Sequence, residues 1–275
     1  MLDTTIGDEK MTEVPMYDSL AEDYDRFTHW TNRLNFEIPL LERLIKGEGK
    51  AGAPRILDAA CGTGMHVIAL AQLGYVCAGA DLSPRMIERA KSNAATAGMN
   101  IEFRVAGFRQ LQKTFPDQLF DVLLCLGNSL PHVLTLQELD ETVTDFARCL
   151  RPGGLLILQS RNFDSVMSSL NRWMPAEAFS DAEHEWLFQR FYDFEADGLI
   201  RFNMITLKRR RGADWQAKVT STMLYPQTEQ VVLAALTRSG FTSITSLGGM
   251  SGEAFDPQSS PNLVVTARRG SWNFR

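Results

Sequence analysis

Residues 55–64 read RILDAACGTG and residues 76–81 read VCAGAD, with MHVIALAQLGY between them. A short apolar run stops at a glycine-rich turn, a stretch with helical spacing follows, and a second apolar run closes on Asp81. Strand, turn, helix, strand is the grammar of parallel strands joined by a crossover, whose ligands sit at the carboxyl ends of the strands. Gly62 and Gly64 let backbone approach such a ligand closely. Asp81 comes 81 − 64 = 17 residues after the loop, where a carboxylate can accept both ribose hydroxyls.

The alternation continues outward. Ser83 and Pro84 start the helix PRMIERAKSNAATAG as N-cap and N1, and IEFRVA, a short helix near Phe108 to Leu111, FDVLLCL, LQELDETVTDFARCL and GLLILQS follow. This predicts an α/β fold: a doubly wound, mostly parallel seven-stranded sheet with helices on both faces. Upstream, Leu20, Tyr24, Phe27, Trp30, Leu34, Ile38, Leu41 and Leu44 recur three or four apart and predict one or two amphipathic helices. Downstream of a helix around Phe163 to Trp173, the stretches EWLFQRFYDF, LIRFNMITLKR and WQAKVTSTMLY are joined at EADG and RRGAD, as in an antiparallel β flap. The chain then returns to TEQVVLAALTRSG, FTSITSL and NLVVTARR. The expected organisation is a helical cap over 1–50, a nucleotide-binding core over 51–160, a flap over 161–225, and a C-terminal helix with the last two strands over 226–275.

Composition narrows the function classes. With a net charge of −5, the 275-residue chain lacks the basic balance of a nucleic-acid binder, and Lys208 to Arg211 reads as a solvated hairpin end. Cys61, Cys77, Cys125 and Cys149 lack CxxC spacing and read as reduced core residues of a cytoplasmic protein, with no metal site. MLDTTIGDEK is too acidic and polar for a signal peptide, and no apolar run approaches the roughly 18 residues of a membrane span.

The glycine turn and Asp81 fit a dinucleotide or S-adenosylmethionine. A pyrophosphate reader needs a third glycine where this chain has Val67. Asp58 would repel a pyrophosphate but suits anchoring the loop or an ammonium group, so the local chemistry leans to a cationic adenosyl ligand.

LDAACGTG with GADLSPRM, FDVLLCL and LRPGGLLIL, in this order, resembles the class I S-adenosylmethionine-dependent methyltransferases across residues 20–270. The resemblance implies S-adenosylmethionine as cofactor, with Ala60, Gly62 and Gly64 lining its methionine side, Asp81 on the ribose, and Leu82 and Met86 flanking the adenine. Leu126 would pass close to the cofactor, and Arg33 pairs with its carboxylate or is an ordinary helix-surface arginine. Where many members place Asp or Asn after the third strand to bond the adenine amino group, this chain has Ala106, Gly107 and Phe108. That contact falls to backbone, water or another side chain, while Phe108 can stack on the ring.

Within the class, CLGNSLPHV (125–133) and RPGGLLILQSRNFDSVM (151–167) are similar to the glycine and sarcosine N-methyltransferases, where the GNS-x-x-H stretch and the Arg-Asn pair meet the amino-acid substrate. Arg161 can hold a carboxylate in a two-pronged hydrogen bond or form a salt bridge to Asp164. Asn128 offers an acceptor for an amine N–H and a donor for a carboxylate. His132 is a proton acceptor, or it bonds a loop carbonyl or the cofactor. Trp186, Phe188, Phe191, Tyr192, Phe202 and Tyr225 would cover the acceptor, although the middle flap strand lacks the tyrosine of the glycine enzymes and carries Asn203 and Thr206.

The expected activity is methyl transfer to the nitrogen of a small amino acid or amine. The alternatives are O- or N-methylation of another small carboxylate-bearing metabolite, and a non-catalytic S-adenosylmethionine-binding module. The expected partner is a small-molecule acceptor rather than nucleic acid or membrane, and the sequence leaves the oligomeric state open.

Overall fold

A computed structural model describes residues 15–46 and 53–271. The polar stretch 1–14 and most of the loop expected before the first strand lie outside the described residues. The chain opens with three helices, α1 (Pro15–Leu20), α2 (Tyr24–Thr28) and α3 (Trp30–Lys46). One or two were expected; His29, at a φ of 49°, adds a break in the left-handed region.

The core follows as β1 (Arg55–Asp58), α4 (Met65–Gln72), β2 (Val76–Asp81), α5 (Pro84–Thr96), β3 (Glu102–Val105), α6 (Leu111–Thr114), β4 (Phe120–Cys125), α7 (Leu136–Cys149) and β5 (Leu150–Arg161). After it come α8 (Phe163–Ser169), the strands β6 (Glu177–Ser180), β7 (His184–Phe194), β8 (Ile200–Arg210) and β9 (Gln216–Leu224), then α9 (Glu229–Arg238), β10 (Phe241–Leu247) and β11 (Asn262–Arg269). The main sheet has seven strands in the order β10-β11-β5-β4-β1-β2-β3. Strands β1 to β5 pair in parallel, and β11 runs antiparallel to β5 and β10.

Strand order reverses between β1 and β4, which creates a crevice beyond their carboxyl ends. Strand β4 is buried at all six positions because helices cover both of its faces. On one face Leu57, Leu123 and Phe146 share a core, and on the other Leu40, Leu41 and Ile45 of α3 pack on Val122 and Leu124. The caps follow the sequence: Ser83 accepts from the Met86 amide at 3.1 Å, and Thr135 accepts from the Glu138 amide at 3.2 Å.

The flap is a four-stranded antiparallel sheet ordered β6-β7-β8-β9. Its extra strand, β6, has four residues and half-exposed alternation that gave little signal in sequence. The inner face carries Trp186, Phe188 and Met204 against Met16 and Leu20, and farther along Tyr192 against Phe163. Two expected flap positions fall elsewhere, because period two sends odd residues of β7 outward. Phe191 stacks on Trp173 at 5.1 Å, and Asn203, opposite it, bonds Asp193 and Ser221.

Among the described residues, no helix is long and apolar enough to cross a membrane, and no three His, Cys, Asp or Glu side chains gather as a metal site. All four cysteines are free thiols, and Cys61, Cys125 and Cys149 are buried.

Candidate active site

A cavity of about 520 Å³ opens at the carboxyl ends of β1, β2 and β4. Its first end is walled by Tyr17 and Tyr24 from the N-terminal helices, by Ala60 and Gly62, and by Gly127 and His132; Asp81 and Met86 stand midway. The far end is walled by Leu82, Gly107, Phe108, Val133 and Thr142.

The glycine loop is pinned by its own backbone: the Cys61 amide donates to Ala80 at 2.8 Å and the Gly64 amide to Cys61 at 2.9 Å. Gly62 has a φ of 52° and borders the cavity. Gly64, at 81°, stands behind the cavity wall, where a Cβ would come within 3.0 Å of Ala90 and the Phe103 ring. Its expected ligand contact is replaced by a packing role.

The loop is wired to two acids. Asp81 accepts from the Gly62 amide and, through its other oxygen, from the Ser83 amide, both at 2.9 Å. These bonds fix the carboxylate while leaving lone pairs on each oxygen. Burial, assisted by nearby Asp18, pushes its pKa up to about 6. Asp58 accepts from the Ala60 amide at 3.2 Å and is likewise pushed up to about 6 by burial.

Arg33 is half-buried rather than freely exposed on the helix surface. Its Nε donates to both oxygens of Glu37 at 3.0 and 3.1 Å, its Cζ lies 5.1 Å from the Trp30 ring centre, and an Nη lies 3.5 Å from where a Gly127 Cβ would be. Glu37 also meets His66 Nε2 at 2.5 Å. Burial alone would raise Glu37, but the bond to His66 and the Arg33 charge hold it below the ordinary range.

The turn after β4 is stitched to β5. Gly127 donates to the Gln159 side chain at 2.8 Å, and Asn128, at a φ of 64°, donates its amide to the Gln159 carbonyl at 3.2 Å. Asn128 Oδ1 accepts from the Arg161 amide at 2.9 Å, so sequence neighbours 33 apart meet across the strand ends. That oxygen, expected to receive an amine N–H, is already engaged by backbone. Asn162, the partner in the Arg-Asn pair, is also committed: its side chain donates to Pro257 and Ser260 carbonyls and accepts from the Ser165 amide.

The Arg161 guanidinium makes no hydrogen bond or ion pair among the described residues, and the alternative partner Asp164 instead accepts from the Glu229 amide at 2.9 Å. Close by on the inner flap face, Arg190 has burial and then the Arg161 charge lowering its pKa. Its Nη lies 3.6 Å from Glu177, and its Nε is buried without a partner among the described residues.

His132 shares a 2.7 Å hydrogen bond between Nε2 and the Tyr17 hydroxyl. Burial pulls the imidazole down to about 4, so it is neutral near pH 7, and burial raises the Tyr17 hydroxyl. Ala60, Leu82, Met86, Gly107 and Phe108 border the cavity as expected positions. Leu126 is core beneath α3, and Tyr225 is tied by its amide to the Pro131 carbonyl at 2.8 Å; neither borders the cavity. Sequence reasoning missed Tyr17 as a wall residue, along with Glu37, His66 and Thr142. No helical period marks Tyr17, because it and Tyr24 lie on separate helices, α1 and α2.

The chemistry fits S-adenosylmethionine: an anchored acid midway along the wall for a diol, an apolar slot beyond it for a base, and, behind the wall at Gly127 and Ala60, Arg33 and Asp58 as charges for carboxylate and ammonium. A volume near 520 Å³ is within the usual range for such ligands, about 300 to 1,000 Å³.

Known proteins agree. A family model described as a methyltransferase domain matches residues 56–154. Glycine/sarcosine N-methyltransferase of Halorhodospira halochloris is 32% identical over 200 residues, covering 70% of this chain and 73% of that protein. Among solved structures, an S-adenosylmethionine-dependent methyltransferase from Clostridium acetobutylicum superposes with a TM-score of 0.75 at 16% identity, covering 93% of this chain and all of that one. The sugar N-methyltransferase KedS8 from Streptoalloteichus superposes with a TM-score of 0.71 at 21% identity, covering 98% of each chain. The fold, the cavity and these matches together establish that the chain belongs to the class I S-adenosylmethionine-dependent methyltransferases, with S-adenosylmethionine as its methyl donor and a likeness to the glycine/sarcosine enzymes.

Proposed function

We propose that this enzyme methylates the nitrogen of a small amino acid or a related amine that carries a carboxylate. The observation that carries the reading is the Arg161 guanidinium, placed at the end of β5 with no acidic partner among the described residues. A planar cation without a carboxylate partner is a receptor for one. The Halorhodospira relative, named for glycine and sarcosine, points the same way.

S-adenosylmethionine supplies an electrophilic methyl on a sulfonium. The amine nitrogen attacks that carbon in line: the N–C bond forms, the C–S bond breaks, and its electron pair stays on sulfur as S-adenosylhomocysteine. The nitrogen needs a free lone pair, so its proton leaves to water before attack. Alignment alone can supply about 7 to 11 kcal/mol of the barrier. Asp81, Arg33 and the Gly62 backbone hold the donor, Leu82, Met86, Gly107 and Phe108 enclose its base, and Arg161 orients the acceptor. Asn128 acts through Arg161 as a positioning residue. The Tyr17–His132 pair is a neutral wall beside the transferred methyl. The helical cap and the flap, packed on one another, exclude water and limit acceptor size.

The test is release of S-adenosylhomocysteine from purified enzyme offered glycine, sarcosine, other amino acids and amines without a carboxylate. Turnover confined to carboxylate-bearing amines supports the reading. Equal kcat/KM for carboxylate-free amino sugars would overturn it, and would suit the apolar inner flap and the likeness in fold to a sugar N-methyltransferase.

A further inference from the structure

The far end of the cavity lacks the acidic or amide side chain expected after β3, since Ala106, Gly107 and Phe108 stand there. The Gly107 amide is itself engaged, donating to the Gln110 side-chain oxygen at 3.3 Å. Across the cavity, α7 brings Thr142 to the wall, one turn before Phe146, whose ring meets Phe108 edge-on at 5.5 Å. Thr142 is 0% exposed, and its Oγ1 has no hydrogen-bond partner among the described residues.

A helical threonine ordinarily returns its hydroxyl to the carbonyl four residues back. This one does not, and a buried hydroxyl left unpaired is costly enough that such groups in folded proteins nearly always have a partner. Thr142 lines the end of the cavity that Asp81 and Leu82 lead into, where the base belongs.

We propose that Thr142 reads the adenine of the methyl donor, its hydroxyl oxygen accepting from the exocyclic 6-amino group. The adenine-reading contact has thereby moved from the loop after β3 to the helix after β4. Glu138, the other acceptor on this wall, is engaged elsewhere: Arg109 approaches it at 3.5 Å and Thr135 bonds it at 3.3 Å.

The test is calorimetric binding to the full-length protein of S-adenosylhomocysteine and of its analogue with hydrogen in place of the 6-amino group. Wild type should prefer the amino compound by about tenfold, equivalent to 1.4 kcal/mol. Thr142→Val, of nearly the same shape, should lose that preference, whereas Thr142→Ser and Glu138→Gln should keep it. The melting temperature of unliganded Thr142→Val should match or exceed that of wild type, because an unpaired buried hydroxyl has been removed. An equal preference in wild type and Thr142→Val, or its loss only in Glu138→Gln, would overturn the assignment.

Discussion

His132 borders the cavity beside Tyr17, on the side where the proposed function places methyl transfer. Burial brings its pKa from 6.5 to about 4, which corresponds to about 3 kcal/mol against the imidazolium. An acceptor ammonium with a pKa of about 8, that of a chain-terminal α-amino group, or higher, as in a free amino acid, would transfer its proton to such an imidazole uphill by at least about 5 kcal/mol. Water at neutral pH takes that proton more cheaply, so we predict that His132 does not serve as the base. The acceptor kcat/KM should therefore rise with pH to the amine's own pKa with no break near 6.5. His132→Gln should lower the rate, by about tenfold through loss of the 2.7 Å bond to Tyr17, without moving that inflection. Stability provides a second reading. The folded pKa is depressed, so the unfolded chain binds the extra proton between about pH 4 and 6.5, and wild type loses up to about 3 kcal/mol as pH falls through that window. His132→Gln lacks this loss, so its melting temperature relative to wild type should climb in acid. Profiles of kcat/KM against pH for both proteins, with two acceptors of different amine pKa, make the measurement. An inflection between pH 5 and 7 that vanishes in His132→Gln would refute the argument.

Arg161→Gln should raise the acceptor KM by about 10- to 100-fold, the value of charge-assisted hydrogen bonds to a carboxylate, while S-adenosylhomocysteine affinity measured by calorimetry stays within twofold. Asp81→Ala should weaken that same affinity by at least about 100-fold, since it removes the carboxylate expected to accept both ribose hydroxyls and releases the Gly62 and Ser83 amides that it holds. Gly64→Ala combines a left-handed backbone with a Cβ 3.0 Å from Ala90 and Phe103. It should cost about 2 kcal/mol or more, visible as a fall of several degrees in melting temperature.

The doubly wound sheet was legible because its signals are local and repeated: apolar runs of strand length, helical periods between them, and glycine turns at strand ends. Asp81, Gly62 and Phe108 could be located for the same reason, being tied to strand ends by a few residues. What escaped was decided by side chains meeting across the fold. Asn128 offers the same amide chemistry to a substrate as to the Arg161 backbone, and only the register of β4 beside β5 selects the latter. Tyr17 and Thr142 sit at ordinary helix positions, and nothing in α1 or α7 alone marks them as cavity walls. Strand β6 is too short to carry a period. Gly64 satisfied its motif yet serves packing, since a glycine required by φ and one required by a ligand look alike in sequence.

On the roles proposed for Arg33 and Arg161, the turn from Gly127 to Asn128 touches both halves of the reaction. One residue lies against Arg33, and the next grips the backbone of Arg161. Two receptors that share so short a piece of main chain are thermodynamically linked: any adjustment of the turn on filling one changes the free energy of filling the other. Linkage is reciprocal, so the factor by which the donor alters acceptor affinity equals the factor by which the acceptor alters donor affinity. Product release inherits the same constraint, because the methylated amine and the spent thioether loosen or retain one another through two adjacent peptide units.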